Sequence, residues 1–385
     1  MTDMRNPLFR LKDFGVSIWC DELSRDMIRG GELQRLIDDR AVVGVTSNPT
    51  IFQKAMSEGE AYDADIERLA AAGRTREEIY GELVVRDISE ACDLLRPVYD
   101  ASDGEDGYVS VEVSPELADD TEGTVAEAIQ YHERIARPNL LVKIPATVAG
   151  VPAIERMIGL GRSINVTLIF SVGRYLEVAG AYLRGLEKLA REDRPLRPVA
   201  SVASFFVSRV DTEADARLDR AAAAETDPAR RGRMNSLKGT IAVANAKLAF
   251  EKFQEIFRGA RWEALAARGA RPQRCLWAST STKNASYSDI LYVQELIGRP
   301  TVNTMPIKTM EAFLDHGHPR ETLTKDVASA RDAIGDLAEF GIDYDDMTDH
   351  ALEREGVRKF SDSYRALLDL LEAKRRRAAG VEARR

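Results

Sequence analysis

Lys143 stands in the run Leu140-Leu141-Val142-Lys143-Ile144-Pro145, opposite in phase to the apolar residues beside it. Glu112 in Ser110-Val111-Glu112-Val113-Ser114, and Asn165 and Thr167 in Ile164-Asn165-Val166-Thr167-Leu168-Ile169, repeat the pattern. Side chains alternate across a strand, so each run has an apolar face and a polar face. If the apolar faces meet covering helices, the polar faces point Lys143, Glu112, Asn165 and Thr167 into one interior. Burying such groups is costly unless they are paired or used. One reading is a satisfied polar layer holding a Lys143–Glu112 ion pair. The other is chemical. Burial disfavours the ammonium and can lower a lysine's pKa by about 3–5. The neutral amine attacks a ketone or aldehyde and forms a Schiff base. The protonated imine is an electron sink, so a C–C bond β to the nitrogen can break or form. The proton shuttle would be Asp21 or Glu112. Their charge favours the ammonium, so either desolvation wins or one carboxylate carries a proton in the free enzyme.

Further polar residues gather where strands end. Asp21 follows Trp19-Cys20, and Asn48 follows Val45-Thr46-Ser47. Ser204-Phe205-Phe206-Val207-Ser208-Arg209 and Ser279-Thr280-Ser281-Thr282-Lys283-Asn284 extend the series. Arg209 offers a fork of donors and Lys283 a point charge, with Ser281 beside it; together they could grip a phosphate. The bland alternative is a set of ordinary salt bridges.

The elements that must position these residues are short apolar strands followed by longer amphipathic helices. Eight strand candidates occur: Val16–Cys20, Val42–Thr46, Tyr108–Val113, Leu140–Ile144, Ile164–Ile169, Val199–Phe206, Arg274–Ser279 and Thr301–Met305. Strands separated by helices imply parallel βαβ units, and eight is the number that closes a (β/α)8 TIM barrel, whose sites lie at the C-terminal rim. Leu83, Ile88, Cys92 and Leu95 line one helical face, and Val125, Ile129, His132 and Ile135 another. The region about 211–258 exceeds a single connection. It reads as a helical excursion broken near Asp227-Pro228, with a second helix through Leu237, Ala244, Leu248 and Phe257. Val357, Phe360, Tyr364, Leu367 and Leu371 mark an amphipathic C-terminal helix at about 346–377. The basic tail 374–385 reads as a solvated, frayed terminus. The expected organisation is one barrel domain spanning 1–385.

The 385 residues carry 54 Lys and Arg against 63 Asp and Glu, a net charge of −9. That balance provides no general attraction for nucleic acid or anionic lipid. With 44% apolar and 30% charged residues, whole-chain disorder is not expected. No window approaches the roughly 18–20 apolar residues of a membrane span, and no secretory h-region is seen, so a cytoplasmic location is expected. The scattered cysteines Cys20, Cys92 and Cys275 fit a reducing compartment rather than a disulfide framework. His316-Gly317-His318 lacks the further ligands of a metal site, and no metal is expected. There is no P-loop and no GxGxxG after a strand. Asn165-Val166-Thr167 and Asn284-Ala285-Ser286 match glycosylation sequons, but neither is expected to be used.

The runs WCDELSR, GVTSNPTIF, VSVEVSPELADDT, NLLVKIPAT, INVTLIFS, SFFVSRVD, WASTSTKN and TVNTMP occur in an order that resembles transaldolase, in its long bacterial type without a fused isomerase domain. The resemblance spans roughly Met1 to the last helix. It implies a single (β/α)8 barrel and a cofactor-free Schiff-base reaction of the non-oxidative pentose phosphate pathway. A dihydroxyacetone unit passes from sedoheptulose 7-phosphate (or fructose 6-phosphate) to glyceraldehyde 3-phosphate (or erythrose 4-phosphate). By motif it implies Lys143 as the nucleophile and Asp21 as the acid/base that deprotonates the donor hydroxyl. Glu112 and Thr167 would hold the water that moves protons during imine formation. Asn48, Asn165 and Ser204 would hydrogen-bond the dihydroxyacetone unit, and Phe206 would shape the pocket. Arg209, Ser281 and Lys283 would take the phosphate. Lys283 stands where many members carry Arg, and Phe205 where many carry Pro. The nearest alternative is a fructose-6-phosphate-type aldolase that releases free dihydroxyacetone. A non-catalytic sugar-phosphate-binding barrel is a different class, and it would not need Lys143 with Asp21 and Glu112. The excursion and the C-terminal helix could support a homodimer contact or could simply cover the barrel.

Overall fold

The computed structural model describes residues 6–378. Its strands are β1 (Val16–Cys20), β2 (Val42–Thr46), β3 (Tyr108–Glu112), β4 (Leu140–Pro145), β5 (Ile164–Ile169), β6 (Ser201–Phe206), β7 (Arg274–Ala278) and β8 (Thr301–Met305). They pair in parallel in chain order, and β8 pairs with β1 to close the barrel. Helices separate successive strands and cover the outside, which gives the expected (β/α)8 architecture. β6 starts later than the sequence suggests because the Val199 amide turns back to the Leu196 carbonyl.

The parity read from the sequence is the parity of the barrel. Val111, Val142, Ile144 and Val166 are fully buried. Register places Glu112 opposite Lys143 on β3 and β4, and Lys143 opposite Asn165 on β4 and β5. Three polar side chains thus sit abreast inside. Lower in the barrel Trp19 fills the interior; a Cβ at Gly44 would lie 2.5 Å from its indole, so only glycine fits there.

Two irregularities mark the C-terminal rim. The register of β5 against β6 shifts between Val166 and Ile169, and Leu168 within that bulge has φ 57°. Ser279, just past β7, has φ 55°. Left-handed backbone costs an L-residue roughly 1–2 kcal/mol. The strain lies beside Thr167 and Ser281, both placed by sequence in the site, as is common where side chains are aimed at a ligand.

The excursion is three helices rather than two: Ser208–Ala224, Pro228–Leu237 and Ile241–Ile256. Asp227 caps the middle one, accepting from the Ala229 amide at 2.9 Å, with Pro228 in the first turn. Leu237 therefore closes that helix instead of joining the next. The C-terminal segment begins with a wide π-type turn at Asp346–Leu352 and continues as an α-helix over Glu353–Ala378. Phe360, Tyr364, Leu367 and Leu371 are buried, and the helix packs across Pro49–Ser57, Asp63–Ala71 and Arg76–Ala101. Gly356 lets it approach β5, since a Cβ there would meet Leu168 at 2.9 Å. The expected frayed tail needs correction as far as it is described. Residues 374–378 are helical, Lys374 donates to Asp63, and Arg375 and Arg376 pair with Glu372. The rest of that tail, 379–385, lies outside the described residues. Among the described residues no helix is long and apolar enough to cross a membrane.

Candidate active site

At the C-terminal ends of the strands lies a cavity of about 280 Å³. Asp21, Asn48, Lys143, Thr167, Ser204, Phe206, Arg209, Ser281 and Lys283 all line it. The sequence places these residues on separate strand ends; barrel closure brings them to one space.

Lys143 is the centre of the floor. Its Nζ lies 3.3 Å from Glu112 Oε2 and donates to the Ser47 carbonyl at 3.1 Å. Glu112 sits beneath the cavity rather than on its wall. Burial pushes the Glu112 carboxyl above its ordinary pKa, and Lys143 opposes that rise. Asp21 is raised for the same reason, again against the pull of Lys143 and of a hydrogen bond from Thr46. Two carboxyls that hold protons more tightly than usual therefore flank one amine.

Asp21 is held by a short relay. Thr46 donates to Asp21 Oδ1 at 2.7 Å, and its oxygen lies 2.7 Å from the Thr304 hydroxyl. Thr46 has one proton and gives it to the carboxylate, so Thr304 donates to Thr46. Asn165 lies one layer below the cavity. It accepts from Ser204 at 2.7 Å and donates to Ser110 at 3.0 Å, so Ser204, not Asn165, meets the cavity directly. Asn48 lines the cavity and caps the helix Pro49–Ser57, accepting from the Ile51 amide at 3.0 Å, which leaves its Nδ2 available to donate.

The far end is cationic. Lys283 donates to Ser281 at 2.8 Å. Burial and the neighbouring Arg209 both lower the Lys283 pKa. Arg209 makes no ion pair or hydrogen bond among the described residues, and its Nη1 is buried without a partner. Burial lowers its pKa too, against the acidic influence of Glu355, Glu112 and Asp21. Thr167 Oγ1 and Glu112 Oε2 likewise lack hydrogen-bond partners among the described residues. Buried polar groups left in this condition are uncommon, and three of those in this protein lie at or just beneath this cavity. One end of the cavity can therefore bind an anion while the other offers an amine between two carboxyls.

The profile of the transaldolase/fructose-6-phosphate aldolase family matches residues 18–371. The chain belongs to this family. Among curated relatives it is 50% identical over 369 residues to a transaldolase of Parafrankia sp. (strain EAN1pec), covering 96% of this chain and 98% of that one. It is 50% identical over 367 residues to a transaldolase of Mycolicibacterium smegmatis, covering 95% and 96%. A transaldolase of Acidothermus cellulolyticus is 51% identical over 365 residues, covering 94% and 95%.

In this family member some residues of the site escape a reading of the sequence alone. Thr46 and Thr304 sit on the inward parity of β2 and β8 and carry the relay to Asp21; inward parity at a strand end was the available signal. Phe360 reaches the cavity from the C-terminal helix, where its spacing marks it only as an apolar face residue. A second cavity of about 400 Å³ lies at the opposite end of the barrel. It holds Arg197, Arg271 and Arg274, but Arg197 and Arg271 are committed to Asp103 and Arg274 to Asp106 and Ser17. That cavity has no nucleophile comparable to Lys143. The three cysteines are free and buried in the fold. His316 turns to Asp289 and Asp315.

Proposed function

We propose that the chain is a transaldolase that works through a Schiff base on Lys143. The observation that carries this reading is the buried Lys143 amine, flanked by Glu112 and facing Asp21, in a cavity whose other end presents Arg209 and Lys283. The whole chain, 1–385, would act as one barrel domain, on sugar phosphates and without a cofactor.

The neutral Nζ of Lys143 attacks the C2 carbonyl of the ketose phosphate, and the carbinolamine loses water to give the iminium. Glu112 and Thr167 would hold the water that carries protons on and off the oxygen. Thr167 Oγ1, buried without a hydrogen-bond partner among the described residues, and the Glu112 carboxyl beside the amine support that role. The Asp21 carboxylate then takes the C4 hydroxyl proton. The C3–C4 bond breaks, its electrons pass to the iminium nitrogen, and an aldose phosphate leaves. The enamine of dihydroxyacetone stays on Lys143, hydrogen-bonded by Asn48 and Ser204, with Asn165 orienting Ser204 from below. When an acceptor aldose phosphate arrives, the enamine carbon attacks its aldehyde and Asp21 returns the proton to the new alkoxide. Water hydrolyses the new iminium and releases the product ketose phosphate. Arg209, Ser281 and Lys283 would hold the phosphate of donor and acceptor in turn, while Phe206 walls the pocket.

Borohydride reduction in the presence of fructose 6-phosphate tests the reading. A covalent three-carbon or six-carbon adduct on the Lys143 peptide is expected, and an unmodified Lys143 overturns it. Assay of free dihydroxyacetone with and without erythrose 4-phosphate separates transfer from simple aldol cleavage. Accumulation only as a trace is expected of a transaldolase.

A further inference from the structure

Arg209 lies over two aromatic rings, each within cation–π range. Its guanidinium carbon is 5.1 Å from the centre of the Phe206 ring and 5.6 Å from that of Phe360. Phe206 ends β6; Phe360 comes from the C-terminal helix, more than 150 residues later. Both rings are buried, at 6% and 4% exposure. A guanidinium has two faces and an edge. Rings attract it through the faces, and its N–H donors lie in its plane. With both rings within cation–π range of the guanidinium, and with no side-chain ion pair or hydrogen bond from Arg209 among the described residues, its donors, the buried Nη1 among them, remain for a ligand. The ring from the helix is itself held in place. Thr50, which lines the cavity, donates to Ser363 one turn along at 2.8 Å, and Gly356 brings the helix onto Leu168 one turn before. Lys359, adjacent in sequence, is tied to Glu355 at 2.5 Å on the same helix.

We infer that Phe360 is a positioning residue: together with Phe206 it clamps Arg209 so that the guanidinium edge faces the sugar phosphate. The C-terminal helix thereby sets discrimination between phosphorylated and unphosphorylated substrates. This rests on the reading of Arg209 as a phosphate anchor.

The test compares fructose 6-phosphate with fructose as donor, using unphosphorylated D-erythrose as acceptor, so that both arms form sedoheptulose. The readout is the ratio of the two kcat/KM values. Phe360→Leu, which keeps an apolar side chain but loses the ring, is expected to lower this ratio about tenfold, through a higher KM for fructose 6-phosphate with little change in kcat. Phe360→Tyr, which keeps the ring, is expected to retain most of the ratio. If Phe360→Leu melts below the assay temperature, Phe360→Met carries the same expectation. A wild-type ratio in the ringless variant, an equal loss with both donors, or an equal loss in Phe360→Tyr overturns the inference. Arg209→Ala separates the two levels. If it collapses the ratio while Phe360→Leu does not, the anchor stands and the clamp falls. If it leaves the ratio intact, the anchor falls and the clamp with it.

Discussion

Lys143 Nζ and Glu112 Oε2 are 3.3 Å apart, with each side chain about 5% exposed, and both project from adjacent strands at the same register position. The contact is therefore imposed by the sheet and does not depend on flexible side chains finding one another. The two near-dry groups hold each other, and removing either leaves the other without its partner.

Lys143→Ala is expected to abolish dihydroxyacetone transfer, measured in a coupled assay, and to eliminate the borohydride adduct. The variant also has a stability signature. Lys143 opposes the burial-driven rise of the Glu112 pKa, so its loss raises that pKa further. A carboxyl whose folded pKa exceeds its unfolded one contributes stability at low pH that disappears as pH rises through the folded pKa. The melting temperature of Lys143→Ala should thus fall below wild type by more at pH 8 than at pH 5. Adding Glu112→Gln should remove that dependence. A gap independent of pH would count against a buried Glu112 coupled to Lys143.

Thr46→Val tests the relay to Asp21. The Thr46 hydrogen bond favours the carboxylate, against burial that raises its pKa. Without it the Asp21 pKa rises further, so the base form appears only at higher pH. The acidic limb of kcat/KM should move up by about one pH unit, the scale of a hydrogen bond to a charged group. Thr46→Ser should restore the wild-type profile. An unmoved limb in Thr46→Val would show that another group is the base.

Glu112→Gln keeps the shape of the side chain but cannot exchange a proton. The rate of imine formation, followed by borohydride trapping in single turnovers, should fall about 100-fold, as for loss of a general acid or base. A rate near wild type would remove Glu112 from proton transfer and leave it a structural partner.

His132 has a separate effect on stability. Its ring is buried on the helix Thr121–Ile135 with Nε2 3.1 Å from the Ser163 carbonyl, which makes Nε2 the donor. Burial, and then the nearby Arg162, lower its pKa to about 4. A histidine with a depressed folded pKa contributes stability above its unfolded value near 6.5, and loses it as pH falls toward 4. The difference amounts to about 3 kcal/mol across that window. His132→Gln, which can still donate to Ser163, should flatten the acid limb of a melting-temperature profile between pH 6.5 and 4. An unchanged limb would place the titration elsewhere.

Much of the site could be read from alternation alone. The polar parity of the third, fourth and fifth strands places Lys143, Glu112, Asn165 and Thr167 inside, because a barrel gives each strand only two faces. The depth of each group was less legible. Glu112 and Asn165 serve from below the cavity, and depth depends on the stagger of neighbouring strands, which the sequence does not state. Thr46 and Thr304 were missed because a threonine at a strand end is common, and only closure of β8 on β1 brings their hydroxyls together. Phe360 was legible as a packing residue but not as a neighbour of Arg209, since periodicity names the buried face of a helix and not what it covers. The break after Leu237 depends on Gly239, whose φ of 72° ends one helix and starts the next.

Because β8 bonds to β1, the sheet of this molecule offers no unpaired edge. A second copy cannot add to it strand by strand. Among the described residues the outer helices and the loops are what the barrel presents to a neighbour, so crowding finds no open strand of this sheet on which to template stacked-strand association.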